Sequence, residues 1–511
     1  MKGEKKLESM EGVKSRVQTS CSILDLNGKQ ISDSGNFKKN KITELISDSR
    51  RVTPGSAFFA LPGLRTNGNE YVKEALDRGA SAIVTEDANV EVPVSVAKIC
   101  VNDARKTLAK FSKRYYGNPD EHLSIVGVTG TNGKTTVTTL IRHLLEEPGK
   151  PVGLIGTVRY HLGDREVPSF RTTPESTDLY SLLKSMLVGG CSKAVMEVSS
   201  HGIHQARVAG LNIGVSVFLN LTRDHLDYHE NMEKYFDEKR KIFNGLNGKL
   251  PQVAVVNGDC PYGQRLISEL PPQVRILSFG TGEGNDFRAR NIDLQERGTE
   301  FILDAPTGTH VVTSPMIGRF NVMNLMASLA VIHGMGHSVS DSLRKVGAFE
   351  GVDGRMESVS GDQKYKVVVD YAHTPDALRN ALSMLRECTP GKLHLVFGCG
   401  GDRDRGKRME MTRVACAGSD VVWATSDNPR TESQSNIFSD MRRGLSKNSN
   451  VRFIEDRRRA ISLALDSARE GDCVLIAGKG HEAFQEIQYT AIPFDDRKVA
   501  NELLQAKSLA K

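Results

Sequence analysis

The sequence predicts an α/β protein of about three domains, and three observations predict it. At 511 residues the chain is too long for one hydrophobic core. Apolar runs of strand length alternate with helical segments, the rhythm of parallel, doubly wound sheets. A glycine-rich turn, "GTNGKTT" at 130–136, lies between the apolar run "LSIVGV" and a helical segment. That is the setting of a phosphate loop.

Taken in order, residues 1–38 read as a polar extension, because "MKGEKKLESMEGVKSRVQTS" is charged and lacks the apolar core of a secretory signal. Residues 39–120 form the first α/β unit, where "ALDRGASAIVTED" reads as helix then strand. Residues 121–352 open on the phosphate loop and continue with the strands "KAVMEVSS" and "GVSVFLNLT". Residues 353–511 alternate the strands "YKVVVDYA", "LHLVFGCGG", "DVVWATSD" and "DCVLIAGKG" with the helices "PDALRNALSMLREC" and "RRRAISLALDSARE". Ligands of such sheets bind at the carboxyl ends of the strands, where this chain places Gly and polar residues.

Composition narrows the function classes. The formal charge of +6 is spread along the chain, which makes no case for nucleic acid but suits phosphate-bearing substrates. The 8 cysteines are scattered without a C-x-x-C pair, so the reading is free thiols in a reducing compartment, with no disulfide framework or zinc site. No apolar run is long enough to span a bilayer. The expectation is a cytoplasmic protein with no membrane partner; a monomer is expected as well, but not from composition.

In the phosphate loop, Gly130 and Gly133 let backbone N–H groups approach an anion, with Thr131 and Asn132 between them. Lys134 reaches the outer phosphates, Thr135 offers a hydroxyl to Mg²⁺, and Thr136 continues into the helix. The usual spacing has a glycine where this chain has Val128, so the loop is a variant. ATP is the expected nucleotide. Asp224, His225, Asp227 and His229 cluster in "TRDHLDYH", but hard oxygen donors beside ATP favour Mg²⁺ over zinc.

A short stretch near the end, "ATSDNPRTE" at 424–432, admits two readings. In one it is a turn: Asp427 or Asn428 caps a helix, Pro429 takes its first position and Arg430 points into water. In the other, Arg430 reads a substrate carboxylate.

The motifs "GVTGTNGKTT", "MEVSSHG", "NLTRDHLDYH", "GRFNVMN", "GVDGRME" and "DYAHTPDAL", in this order, resemble those of the Mur ligase family of ATP-dependent amide-bond synthetases. With "DSRRVTPGSAFFALPG" before them and "VFGCGGDRDRGKR", "DNPRTE" and "AGKGHE" behind, the likeness covers nearly all of the chain after about residue 40. It implies the three-domain architecture of that family, with a P-loop central domain and a Rossmann-like C-terminal domain. It further implies the members that add meso-2,6-diaminopimelate to UDP-N-acetylmuramoyl-L-alanyl-D-glutamate through an acyl phosphate.

What the resemblance implies for single residues follows. Glu197 and His225 resemble residues serving the metals, and Lys239 matches a lysine that the family carbamylates, although "DEKRKIF" by itself reads as a charged helix face. Asn321, Asn324, Arg355 and Asp370 match nucleotide contacts. Ser49, Thr172, Thr173, Ser199, Gln205 and Arg207 match contacts to the UDP-sugar peptide. Arg430 holds the distal carboxylate of diaminopimelate beside Asp427, Asn428 and Pro429; Arg403 helps, and Gly478 and Glu482 meet the amino end. Three other readings compete. "DNPR" speaks against a lysine-adding ligase, and the N-terminal domain against a folylpolyglutamate synthetase. The presence of Lys134, Glu197, His225, Lys239, Arg355, Asp370 and Arg430 speaks against a non-catalytic scaffold.

Overall fold

A computed structural model describes residues 21–22, 41–63, 66–295, 298–359, 361–446 and 449–509. The polar extension expected over 1–38 lies outside the described residues except at 21–22. The first unit is a parallel sheet of four strands, Glu44–Ile46, Ser56–Phe59, Ala82–Thr85 and Ala97–Cys100, adjacent in chain order. Two of them, "SAFF" and "AIVT", are buried at every residue, as strands covered on both faces must be. The helix Ala104–Tyr115 follows, and the Asp103 carboxylate accepts the Lys106 N–H at 2.8 Å to cap it.

The second unit has an eleven-stranded sheet. At its centre the strand Ser124–Thr129 runs parallel between Lys193–Glu197 and Val215–Phe218. The helix Arg319–Gly334 is buried without interruption from Asn324 to Ile332, because it lies between the sheet and the helix Lys134–Leu145. The sheet ends in an antiparallel meander, Phe287–Gln295, Gly298–Ala305 and Gly308–Ser314. The sequence reading did not anticipate this meander. Its alternation, with Phe301, Leu303 and Val312 inside, is the ordinary mark of a half-covered antiparallel edge.

The third unit has five parallel strands in the order Lys366–Asp370, Cys473–Ala477, Leu393–Cys399, Val421–Ser426 and Val451–Phe453, with the short antiparallel strand Glu357–Ser358 at one edge. A separate hairpin, Phe484–Ile487 with Thr490–Pro493, follows the last of them. Among the described residues no helix is long and apolar enough to cross a membrane. The cysteines Cys100, Cys191, Cys260, Cys388, Cys399, Cys416 and Cys473 are free.

This unit is pinned by a fully buried ion pair. Arg457 donates to Asp496 at 2.7 and 2.8 Å and to the carbonyls of Ser426 and Ala477 at 3.2 and 2.9 Å. Both side chains are 0% exposed. Removing one partner leaves a buried charge alone, so Arg457→Ala is expected to destabilise this unit by about 3–5 kcal/mol. The chain's single tryptophan, Trp423, is buried in this sheet. Its fluorescence during urea unfolding reads that loss, and an unchanged midpoint would refute it.

Candidate active site

The phosphate loop lies at the carboxyl end of the central strand. Gly130 has φ 155° and Gly133 has φ 89°. A Cβ on Gly133 would stand 2.5 Å from Asn324 Oδ1, so this position requires glycine twice over. The loop is braced by Asn220, whose Oδ1 accepts the N–H groups of Thr131 and Asn132 at 3.1 and 2.9 Å and whose Nδ2 donates to the Asn132 carbonyl at 3.1 Å. No side chain caps the helix that begins at Lys134, so its N-terminal N–H groups remain for an anion. Lys134 Nζ donates to the carbonyls of Gly130 and Thr131, both at 2.8 Å. Burial lowers its pKa, which Glu197 and Asp224 oppose and Arg355 reinforces.

Glu197 ends its strand 1% exposed. Its carboxylate accepts the Thr157 N–H at 2.7 Å and the Thr157 hydroxyl at 3.0 Å. Lys239, on the helix Met232–Arg240, is 1% exposed, and its amine donates to the Gly130 carbonyl at 2.9 Å and to Thr129 Oγ1 at 3.4 Å. Burial, with Lys134 nearby, holds its pKa well below that of an ordinary lysine. The amine also lies 4.6 Å from the centre of the Tyr235 ring. The helix that reads as a charged surface therefore turns one lysine inward, against the phosphate loop.

His225 has φ 56°, and its Nε2 is 3.3 Å from Asp224 Oδ2. Burial holds its pKa well below the usual value, so the ring is neutral near pH 7. It meets the ring of His201 edge-on at 4.7 Å. His201 itself is lowered to about 4, first by burial and then by Arg207. Among the described residues no group of three or more His, Cys, Asp or Glu is arranged to hold a metal. The Thr135 hydroxyl and the Glu197 carboxylate are nevertheless hard oxygen donors near Lys134, and their chemistry fits Mg²⁺.

A cavity of about 1170 Å³ opens between the second and third units. Asn132, Gly133, Thr136, Asn321, Asn324, Arg355 and Asp370 line it, seven of the eleven residues expected at the nucleotide; Gly130, Thr131, Lys134 and Thr135 are not among its lining residues. Asn324 Nδ2 donates to Asn321 Oδ1 at 3.1 Å along their helix. Arg355 Nη2 donates to Thr135 Oγ1 at 3.1 Å, crossing from the third unit to the phosphate loop, and the guanidinium lies 4.4 Å from the centre of the Tyr371 ring. Asp370 accepts the Met356 and Ala372 N–H groups, both at 2.8 Å; burial raises its pKa against the pull of Arg355. Asn132 Nδ2 donates to Asp376 at 2.9 Å, and Lys407 stands 3.6 Å from Asp224. The loop is therefore already tied to the third unit by these side chains.

Five of the six residues expected at the UDP-sugar form one local network. Thr173 Oγ1 donates to the Glu197 carbonyl at 2.9 Å and accepts the Ser199 N–H at 3.0 Å. Ser199 Oγ caps the short helix Ser200–His204. Arg207 donates to the Thr173 carbonyl at 2.9 Å and to Gln205 Oε1 at 2.6 Å, and lies 3.1 Å from Glu175. Thr172 shares a 3.1 Å hydroxyl contact with Thr157, which also holds Glu197. Ser49 is separate, in the first unit, where its hydroxyl donates to Glu74 at 2.6 Å.

The stretch 424–432 corrects the sequence reading. Asp427, Asn428 and Pro429 start no helix; the next one is Gln434–Arg442, capped by Ser433. A buried side chain explains why. Asn428 turns inward, with Nδ2 donating to Glu482 Oε2 at 2.9 Å and Oδ1 accepting Lys479 Nζ and the Glu486 N–H, both at 3.0 Å. It has no oxygen left to cap a helix. Arg430 does not point into water either: Nε donates to Glu486 at 3.1 Å and Nη1 to the Gly401 carbonyl at 2.7 Å. Arg403 is close enough that Arg430, after burial, depresses its pKa. Gly478 has φ 113° and passes against Asp427, where a Cβ would lie 2.7 Å from Oδ2.

The sequence reading missed Thr157, Asn220, Lys407 and Lys479. Lys479 is fully buried and donates to both Asn428 and Glu482, at 3.0 and 3.1 Å. Its signal was available in "AGKGHE", since a lysine at the end of an apolar strand of a parallel sheet lies where such folds bind ligands. Thr157 and Asn220 act through contacts 40 and 88–89 residues distant in sequence, which no local pattern displays.

Comparison with known proteins agrees with this architecture. Residues 41–116 match the model of the Mur ligase family catalytic domain, 128–332 the Mur ligase middle domain, and 354–480 the Mur ligase glutamate ligase domain. The UDP-N-acetylmuramoyl-L-alanyl-D-glutamate--2,6-diaminopimelate ligase of Solibacter usitatus is 42% identical over 91% of this chain and 94% of its own length. A solved structure of an enzyme of that name is 34% identical, with TM-score 0.67 over 96% of this chain and 99% of that one. The MurF ligase of Thermotoga maritima, solved in complex with ADP, shares the fold at 22% identity and TM-score 0.61, over 91% of this chain and 96% of that one. With three domain models matched in order and relatives alike over nine-tenths of both lengths, the chain belongs to the Mur ligase family.

Proposed function

We propose that this chain is an ATP-dependent amide ligase joining meso-2,6-diaminopimelate to UDP-N-acetylmuramoyl-L-alanyl-D-glutamate, in the assembly of peptidoglycan precursors. The observation that carries the ligase reading is the bond from Arg355, which lines the cavity between the second and third units, to Thr135 of the phosphate loop, with Lys134 close enough to feel the guanidinium charge. A lysine and an arginine from two units side by side support a site in which a polyphosphate lies next to a substrate carboxylate. The names of the relatives and the inward-turned Arg430 support the choice of substrates.

In this reading a carboxylate oxygen of the UDP-linked peptide attacks the γ-phosphorus of ATP, and ADP leaves. The amine of diaminopimelate then attacks the acyl carbon, phosphate leaves, and the amine gives up a proton. Lys134 and Arg355 hold the phosphates. Contact between the units keeps water from the acyl phosphate. Thr135 and Glu197 are the residues that would hold Mg²⁺, which when bound offsets the charge of the phosphates. Burial of Lys239 lowers its pKa and so favours the neutral amine, the form that reacts with CO₂ to give a carbamate and a proton. His225, kept neutral, supports the metal-binding side of the site. We place the enzyme in the cytoplasm as a monomer, where its nucleotide-linked substrates are soluble.

The test is an amino-acid panel. Phosphate release from ATP should require the UDP-muramoyl dipeptide and diaminopimelate together. Equal turnover with L-lysine would overturn the choice of amino acid, and release without any amino acid would overturn ligation.

A further inference from the structure

We propose that Glu486, on the hairpin Phe484–Pro493, is a positioning residue for amino-acid selection, holding Arg430 and Asn428 in the orientation in which they meet the distal end of diaminopimelate. The proposal rests on the function just given. It starts from a backbone oddity: Arg430 has φ 54°, a left-handed conformation that a long side chain adopts only when its surroundings enforce it. The hairpin supplies that enforcement. The Arg430 N–H donates to the Glu486 carbonyl at 2.9 Å, and the Gln488 N–H donates to the Arg430 carbonyl at 2.9 Å. Arg430 thereby pairs with Ile487 in an isolated parallel bridge.

The side chain of Glu486 then fixes the guanidinium. Its Oε2 takes the Nε edge at 3.1 Å, while the Gly401 carbonyl takes Nη1 at 2.7 Å. Nη2 remains for a ligand, and a fork gripped on one edge presents the other in a defined plane. The same residue orients Asn428. Its N–H and Lys479 Nζ both donate to Oδ1, which identifies that atom as the oxygen and turns Nδ2 toward Glu482. Glu486 also answers a charge problem, because Arg403 and Arg430 are near enough to repel and its carboxylate opposes them. The hairpin is itself anchored, with Gln485 Nε2 donating to Ser426 Oγ and the Asp427 carbonyl at 3.1 and 2.9 Å. One residue of this hairpin thus bonds to two of the residues expected to select the amino acid.

The experiment compares Glu486→Ala and Glu486→Gln with the wild-type chain in the ligation assay, varying one substrate at a time. Glu486→Ala is expected to raise KM for diaminopimelate about 10-fold with kcat changed less than about 2-fold. KM for ATP and for the UDP-dipeptide should hold. Glu486→Gln keeps an oxygen for the Nε–H and should recover about half of the loss on a logarithmic scale. An unchanged KM for diaminopimelate in Glu486→Ala, or an equal rise in all three KM values, would overturn the positioning role. A wild-type chain that does not turn over diaminopimelate would instead overturn the parent reading, and the two failures are thus told apart.

Discussion

Lys134→Ala should abolish most ligation, lowering kcat by about 10²–10³-fold or more, while the protein still folds. The expectation follows from where the amine lies. It is the half-buried cation of the phosphate loop, held on the Gly130 and Thr131 carbonyls at 2.8 Å and close to Glu197, Asp224 and Arg355. A preorganised charge in a site sheltered from water stabilises the transferring phosphoryl group without reorganising at the moment of reaction. Its loss does not strip the loop of support, because Asn220 holds the Thr131 and Asn132 N–H groups and Lys239 still donates to the Gly130 carbonyl. Phosphate release measures the effect, and an unchanged thermal melt shows that the fold survives. Activity within a few-fold of wild type would remove Lys134 from the mechanism.

Arg430→Ala should act on the choice of amino acid. We expect the preference for diaminopimelate over lysine to fall by about 10²-fold or more. The two molecules differ by one distal carboxylate. On the proposed reading, the guanidinium held by Glu486 and Gly401 would gain hydrogen bonds from that carboxylate and would be left unmatched by lysine. Arg430→Lys separates charge from geometry, since an ammonium keeps the charge but loses the planar fork. It should restore little of the discrimination. The ratio of kcat/KM for the two amino acids is the measurement, with Trp423 fluorescence confirming that the third unit is folded. An unchanged ratio in Arg430→Ala would show that selection lies elsewhere.

Much of this was legible in the chain because its signals are local. The strand, turn and helix around "GTNGKTT" span Ser124–Leu145 as the apolar pattern and the glycines require. The strands "YKVVVDYA", "LHLVFGCGG", "DVVWATSD" and "DCVLIAGKG" each formed one member of the third sheet. What escaped the sequence was long-range. "DNPR" carries every local mark of a helix start, and it fails to start one because partners 54, 51 and 58 residues away claim the Asn428 side chain. Tertiary hydrogen bonds outweigh a cap worth about 1 kcal/mol. Lys239 shows the converse: a charged helix face hides one amine that the fold buries against a loop more than a hundred residues earlier.

The bond from Arg355 to Thr135 carries a consequence for inhibition. In the proposed function that hydroxyl is an oxygen offered to magnesium, and it is already engaged by a residue of the third unit. A compound that merely staples the second and third units together would stabilise a contact the protein makes unaided and so gain little affinity from it. One that draws the guanidinium off the hydroxyl, and offers it an anion in exchange, would compete at the place the proposed function gives to the nucleotide.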